Sequence, residues 1–269
     1  MIVGIVAVVK VTAALRLIKR VKTSLGIKGF FMPIQKIYTH NQDSKTASLY
    51  VKKSDGHLDS CAVFQKKETL LLGISMGNSY FTKERLHLII LGFSSLFENV
   101  VVLLADALAV HNYRIMGYPE NKIKRKLREN SNHARNKIQK TIHEIKQEHH
   151  KENITFYQWQ DVESFTPYHQ SLQKVSNLYD QDPIFAQEIN QIVLHVMQQH
   201  ISDKMSHLNV INEAKWYFLK ELAFIHSSAD FFNSSVVSAY YHDFPLFNRT
   251  IMDELERVSF ITYECKEAF

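Results

Sequence analysis

Cysteine, glycine and proline are all scarce in this chain. The two cysteines, Cys61 and Cys265, lie far apart with no Cys-x-x-Cys spacing. That fits reduced thiols in a cytoplasmic compartment and gives no basis for a structural zinc site. Eight glycines and five prolines in 269 residues leave little turn punctuation, and neither an internal repeat nor a low-complexity tract is visible. A long apolar run is also missing. Ile2 to Val9 is apolar, but Lys10, Arg16, Lys19 and Arg20 follow, well short of the roughly 20 apolar residues of a spanning helix. A secretory signal puts its charge before its apolar block, and here the order is reversed. What remains is an ordinary globular composition, 45% hydrophobic and 22% charged, with a net charge of only +5. The length suits one α/β domain with a sizeable core.

Val11, Ala14, Leu15, Ile18, Val21 and Leu25 recur at helical spacing. Residues 1–35 are therefore read as a basic amphipathic extension, packed on the domain or in weak contact with a membrane surface. Residues 36–269 are read as a single domain. Within it, 36–60 is polar and reads as a connecting segment with one strand at Ala47 to Val51. Thr69 to Ser75 is a short apolar run and predicts a buried strand. Thr82 can cap a following helix with Glu84 in its first turn, and Leu86, Ile89, Ile90, Phe93 and Phe97 give that helix a core-facing stripe. A second buried strand is predicted at Asn99 to Ala105, a long helix from Pro119 to about Gln147, and a third strand at Ile154 to Trp159. Helical patterns follow near 164–179, 183–202 and 208–229, then a last core strand at Ser235 to Tyr241. Strand and helix in alternation imply βαβ units and a parallel sheet flanked by helices.

Ser75 stands where the first core strand ends, inside Gly73-Ile-Ser75-Met-Gly77. Sites in open α/β sheets form beyond the carboxyl ends of strands, although a turn serine that bonds its own backbone would look the same in sequence. Gly-x-Ser-x-Gly also matches the strand–turn–helix signature of α/β serine hydrolases. Two features speak against that class: no His-Gly-Gly-type segment lies upstream, and residues 78–81 separate the second glycine from the helix start.

Between Lys122 and Lys146 lie nine basic residues, Lys122, Lys124, Arg125, Lys126, Arg128, Arg135, Lys137, Lys140 and Lys146, against two acids, Glu129 and Glu144. The local excess of seven exceeds that of the whole chain. At 100° per residue Ile123, Leu127, Ala134, Ile138, Ile142 and Ile145 share one sector, and the bases occupy the rest. Such a face suits phosphates better than a mixed solvated surface does. Further on, Tyr217 and Glu221 stand four residues apart and share a helix face, where a phenol and a carboxylate can hold an ammonium and move protons. Tyr240-Tyr241-His242 closes the last strand. His143-Glu144 and Glu148-His149-His150 match no zinc spacing and read as a solvated helix end.

Taken together, Gly73-x-Ser75-x-x-Asn78-x-Tyr80, Tyr217-x-x-x-Glu221 and Tyr241-His242 resemble, in order and spacing, the three signature motifs of the cyclodipeptide synthases. The resemblance runs from about Cys61 to Pro245, and Asn78, Tyr241 and His242 are similar to the subgroup marked by Asn, Tyr and His. Ala223 departs from the proline many members carry there. The resemblance implies a Rossmann-like fold similar to the catalytic domain of class I tyrosyl- and tryptophanyl-tRNA synthetases. The HIGH motif is missing, and Lys204-Met-Ser206 is only a fragment of KMSKS, so no ATP and no metal is expected.

Two aminoacyl-tRNAs are the implied substrates, used in ping-pong fashion by a chain expected to be a monomer. Ser75 would take the first aminoacyl group, and the second aminoacyl-tRNA would accept that group on its own amine to give a dipeptidyl-enzyme. The free amine would then close the ring. Tyr217, Glu221 and Tyr241 are the implied catalytic partners. Gly73 and Asn78 would shape the pocket and position the aminoacyl group, and Tyr217 and Glu221 would hold its ammonium. His242, grouped with the substrate-binding residues, would support Tyr241 or the loop, and Leu71, Val102 and Phe224 are expected to line the pocket. Lys122, Lys124, Arg125, Lys126, Arg128, Arg135, Lys137 and Lys140 are the expected tRNA contacts. The competing classes are the serine hydrolase and a non-catalytic RNA-binding module.

Overall fold

The computed structural model describes residues 35–42, 45–56, 68–197, 207–241 and 257–268. In chain order its elements are β1 (Gln35–Gln42), β2 (Lys45–Gly56), β3 (Thr69–Ile74), α1 (Lys83–Ser94), β4 (Asn99–Leu104), α2 (Ala109–Ile115), α3 (Glu120–His149), β5 (Ile154–Gln158), α4 (Trp159–Glu163), α5 (Thr166–Gln181), α6 (Pro183–Met197), α7 (His207–Phe231), β6 (Val236–Tyr240) and β7 (Val258–Ala268). Residues 1–34 of the extension read as 1–35, the KMSKS-like fragment and His242 lie outside the described residues, whereas Gln35 opens β1.

Side-chain alternation along the central strands divides the interior into two layers. Leu70, Leu72 and Ile74 of β3 and Val100, Val102 and Leu104 of β4 point to the face covered by α1 and α3. Leu71, Val101 and Leu103 point to the opposite face, covered by α2 and α4–α7. Strands buried on both faces need apolar residues at every position, as these runs provide. β3 pairs in parallel with β4 and β6, β4 with β5, and β6 with β7.

Two further strands extend the sheet beyond β7. β1 and β2 form an antiparallel hairpin, and β2 runs antiparallel to β7, giving seven strands in the order β1-β2-β7-β6-β3-β4-β5. The sheet is therefore mixed rather than wholly parallel. The segment read from sequence as a connection with one short strand is a long hairpin, and β7 had no counterpart in that reading. The antiparallel strands β1, β2 and β7 mix polar with apolar residues, so a search for apolar runs passes over them.

The helices begin where their caps predict. Thr82 accepts a hydrogen bond from the Arg85 amide at 3.2 Å, and Leu86, Ile89, Ile90 and Phe93 of α1 are buried. Pro119 precedes α3, which ends at His150 in the left-handed conformation. Ile123, Ala134, Ile138, Ile142 and Ile145 bury the docked face of α3, each isoleucine contributing about 1.5–3 kcal/mol. Among the described residues no helix is long and apolar enough to cross a membrane.

Connectivity fixes where a site can form. From β3 the chain runs outward through β4 to β5, then returns to lay β6 on the other side of β3. The carboxyl ends of β3 and β6 flank the point where strand order reverses, the usual position of a ligand crevice in such sheets.

Candidate active site

Ser75 directly follows β3 at this switch point and is exposed. Alternation decides which way it looks. Ile74 belongs to the layer under α1 and α3, so Ser75 turns to the α7 side. There its side chain is hydrogen-bonded with the Tyr217 phenol of α7. A Cβ added to Gly73, two residues back on the same side, would meet nothing within 4 Å, so the space over this strand end is open. Gly77 holds φ +76, a value costly for any residue with a Cβ, and turns the chain back toward α1. The partner of Ser75 is a phenol, not the imidazole that a serine hydrolase needs.

Glu221 lies one turn beyond Tyr217 on α7, and the Tyr240 hydroxyl donates to its Oε1 at 3.4 Å. Burial pushes the Glu221 carboxyl up to about 7, opposed by that hydrogen bond. Burial, then the Glu221 charge, holds the Tyr217 phenol far above its ordinary range, so it stays protonated. The site thus combines an accessible hydroxyl, a permanently protonated phenol and a carboxylate that titrates near neutrality. That set can position an ester, hold an ammonium and exchange protons with an amine.

Consecutive strand residues face opposite sides, and Tyr240 and Tyr241 use this. Tyr240 packs in the α7 layer and Tyr241 in the α1 layer. The Tyr241 hydroxyl accepts from Asn78 Nδ2 at 2.9 Å, while Asn78 Oδ1 accepts from the Tyr80 amide at 2.8 Å. The Tyr241 ring stacks on Tyr80 with centroids 4.1 Å apart and meets the edge of Phe81 at 5.5 Å. Arg85 covers Tyr80 at 5.1 Å. The described residues of the three sequence motifs therefore converge at the carboxyl ends of β3 and β6.

The pocket residues divide. Leu71 and Phe224 are buried in the α7 layer beneath the site. Val102 is not: it is fully buried on the other face, against α1 and α3. The period of two explains the correction, since Val101 and Leu103 are the β4 residues facing α7.

The basic helix also divides. Lys124, Arg125, Arg128 and Lys140 are exposed, and Lys122, Lys126 and Arg135 half-buried. Lys122 and Lys126 lie over the Tyr118 ring at 4.2 Å and 5.5 Å. Lys137 is not a free phosphate ligand. Its ammonium donates to the Phe81 carbonyl at 2.6 Å, and burial lowers its pKa. It bolts α3 to the loop that carries Ser75 and Asn78. The structure also adds His87 of α1 to Glu148 and His149, their ligand atoms lying within 4.8 Å. The sequence spacing gave no sign of this group because His87 is remote in the chain.

A mixed α/β sheet flanked by helices, with a hydroxyl, phenols and a carboxyl gathered at its switch point and a cationic face on one helix, defines the class as an α/β fold with an enzyme-like site. The family model described as cyclodipeptide synthase matches residues 56–256. The chain belongs to the cyclodipeptide synthase family, enzymes that form cyclic dipeptides.

Solved structures agree on the fold. A cyclo(L-leucyl-L-phenylalanyl) synthase superposes with TM-score 0.66 at 18% identity, covering 80% of this chain and 98% of its own. A cyclodipeptide synthase from Staphylococcus haemolyticus gives 0.65 at 21% identity, over 78% and 97%. A Mycobacterium tuberculosis protein gives 0.64 at 14%, over 87% and 99%, and was described as demonstrating that cyclodipeptide synthetases are related to type I tRNA synthetases. No curated protein sequence matches the chain.

Proposed function

We propose that this enzyme joins the aminoacyl groups of two aminoacyl-tRNAs through a covalent ester on Ser75, with no ATP and no metal. The observation that carries the reading is the exposed Ser75 hydroxyl hydrogen-bonded with Tyr217, one helical turn from a carboxyl pushed up to about 7. Ser75 Oγ attacks the ester carbon of the first aminoacyl-tRNA. The ester bond to the tRNA ribose breaks, the ribose oxygen leaves as a hydroxyl with the serine proton, and an aminoacyl-Ser75 ester forms. An aminoacyl ester is already activated, so this exchange needs no strong base.

Atom balance sets the direction of the second step. A dipeptide stays on Ser75 only if the amine of the aminoacyl-enzyme attacks the second aminoacyl-tRNA. The reverse attack, with the second aminoacyl-tRNA accepting the first group on its own amine, would leave the dipeptide on the tRNA and not on Ser75. The ammonium must lose a proton first, and a carboxylate titrating near neutrality is suited to accept it. The ester bond to the second tRNA breaks, and its ribose oxygen leaves as a hydroxyl with the proton shed by the attacking amine. The new terminal amine then attacks the Ser75 ester, and ring closure returns the hydroxyl to Ser75. Tyr241, anchored by Asn78, is assigned to proton relay in that closure, and the exposed bases of α3 to tRNA phosphates.

Chromatography with mass spectrometry after bacterial expression tests this. A cyclic dipeptide made by the parent chain and lost in Ser75→Ala supports the reading. Product at the parent rate from Ser75→Ala overturns it.

A further inference from the structure

We infer that Tyr240 is a positioning residue for Glu221: its hydroxyl anchors one carboxylate oxygen and thereby sets both the aim and the ionisation of that carboxylate. The inference rests on the catalytic reading of Glu221 above. None of the three sequence motifs contains Tyr240, and it reaches the site from β6 rather than α7.

The geometry is specific. The Tyr240 hydroxyl lies 3.4 Å from Glu221 Oε1, a long contact that shortens and strengthens when the carboxylate is ionised, since a phenol then donates to a charge. Ser238, two residues earlier on the same strand face, gives the Tyr240 hydroxyl a second side-chain partner, and the Phe260 ring of β7 stands 6.4 Å away, centroid to centroid. The phenol is thus held from behind. Burial and the Glu221 charge keep it protonated, so it is a donor at every working pH. With Oε1 occupied, Oε2 is the oxygen left for substrate.

Ionisation follows from the same bond. Burial alone would drive the Glu221 carboxyl to the neutral form, and the Tyr240 hydrogen bond is the cause that opposes it. The other titratable groups at this position are Tyr217 on α7 and Tyr241 after β6, both phenols held protonated by burial. Among the described residues no cation contributes to the ionisation of this carboxylate, which leaves the Tyr240 hydroxyl to sustain its charge.

The test compares pH profiles of kcat/KM on aminoacyl-tRNA. Tyr240→Phe removes one oxygen and is expected to move the acid limb upward. Activity would fall about tenfold near pH 6 per unit of displacement and recover toward the parent value above pH 8. 3-Fluorotyrosine at position 240 keeps the shape and makes a stronger donor, so it should move the limb the other way, and it decides the matter if Tyr240→Phe does not fold. Profiles superimposable on the parent for the folded variants, with Glu221→Gln inactive, overturn the inference alone. Parent activity in Glu221→Gln overturns the catalytic reading and this inference with it.

Discussion

Asn78, on the loop after β3, donates to the Tyr241 hydroxyl, 163 residues away in sequence, at 2.9 Å. The bond joins the first and third motifs and fixes the phenol whose ring also stacks on Tyr80. Asn78→Ala and Tyr241→Phe should each lower cyclodipeptide formation, and the double variant should be little worse than either alone. A double-mutant cycle checks this, and additive losses would separate the two residues.

Glu221 gives a stability signature independent of activity. Its folded pKa, about 7, lies above the ordinary value of 4.5. Between those two values the folded chain keeps a proton that the unfolded chain has lost, so this group destabilises the fold progressively as pH rises through that window. Glu221→Gln should therefore melt higher than the parent at pH 8, by roughly 2–4 °C for each kcal/mol relieved, and at the same temperature at pH 4. Thermal scans at both pH values check the sign.

Gly73 offers a separation of folding from binding. Open space faces its missing Cβ, so Gly73→Ala should leave the melting temperature unchanged or raise it by reducing unfolded-chain freedom. The methyl group enters the space above the strand end, so KM for aminoacyl-tRNA should rise. A raised KM with intact stability is the expected pair of readings.

The bases of α3 should not behave alike. Alanine at Lys124, Arg125 and Arg128, all exposed, should weaken tRNA use and flatten the dependence of log affinity on log salt by about 0.7–0.9 for each lost phosphate contact. Lys137→Ala removes the hydrogen bond to the Phe81 carbonyl. It should lower stability and activity while leaving the salt slope unchanged. Binding titrations across a salt series distinguish the two.

Much of this arrangement was legible in the sequence because its carriers are local. The apolar run at Thr69–Ile74, the Thr82 cap and the one-sided face of α3 each declare an element within a few residues. What stayed hidden depends on pairing across the chain. The β1–β2 hairpin lacks an apolar run, and β7 follows a stretch with no clear punctuation. Val102, expected in the pocket, faces away from it, and nothing in an all-apolar strand marks which alternate residues face which layer. Lys137 looked like any other base of its helix until the Phe81 carbonyl was placed beside it, and Tyr240 was overshadowed by the motif residue next to it.

Intact-mass spectrometry within seconds of mixing enzyme with one aminoacyl-tRNA tests the central claim most directly. The account expects a mass increase of one aminoacyl residue, mapped by peptide sequencing to Ser75 and missing in Ser75→Ala. Cyclic dipeptide formed with no such adduct, or an adduct mapped to another residue, would contradict it.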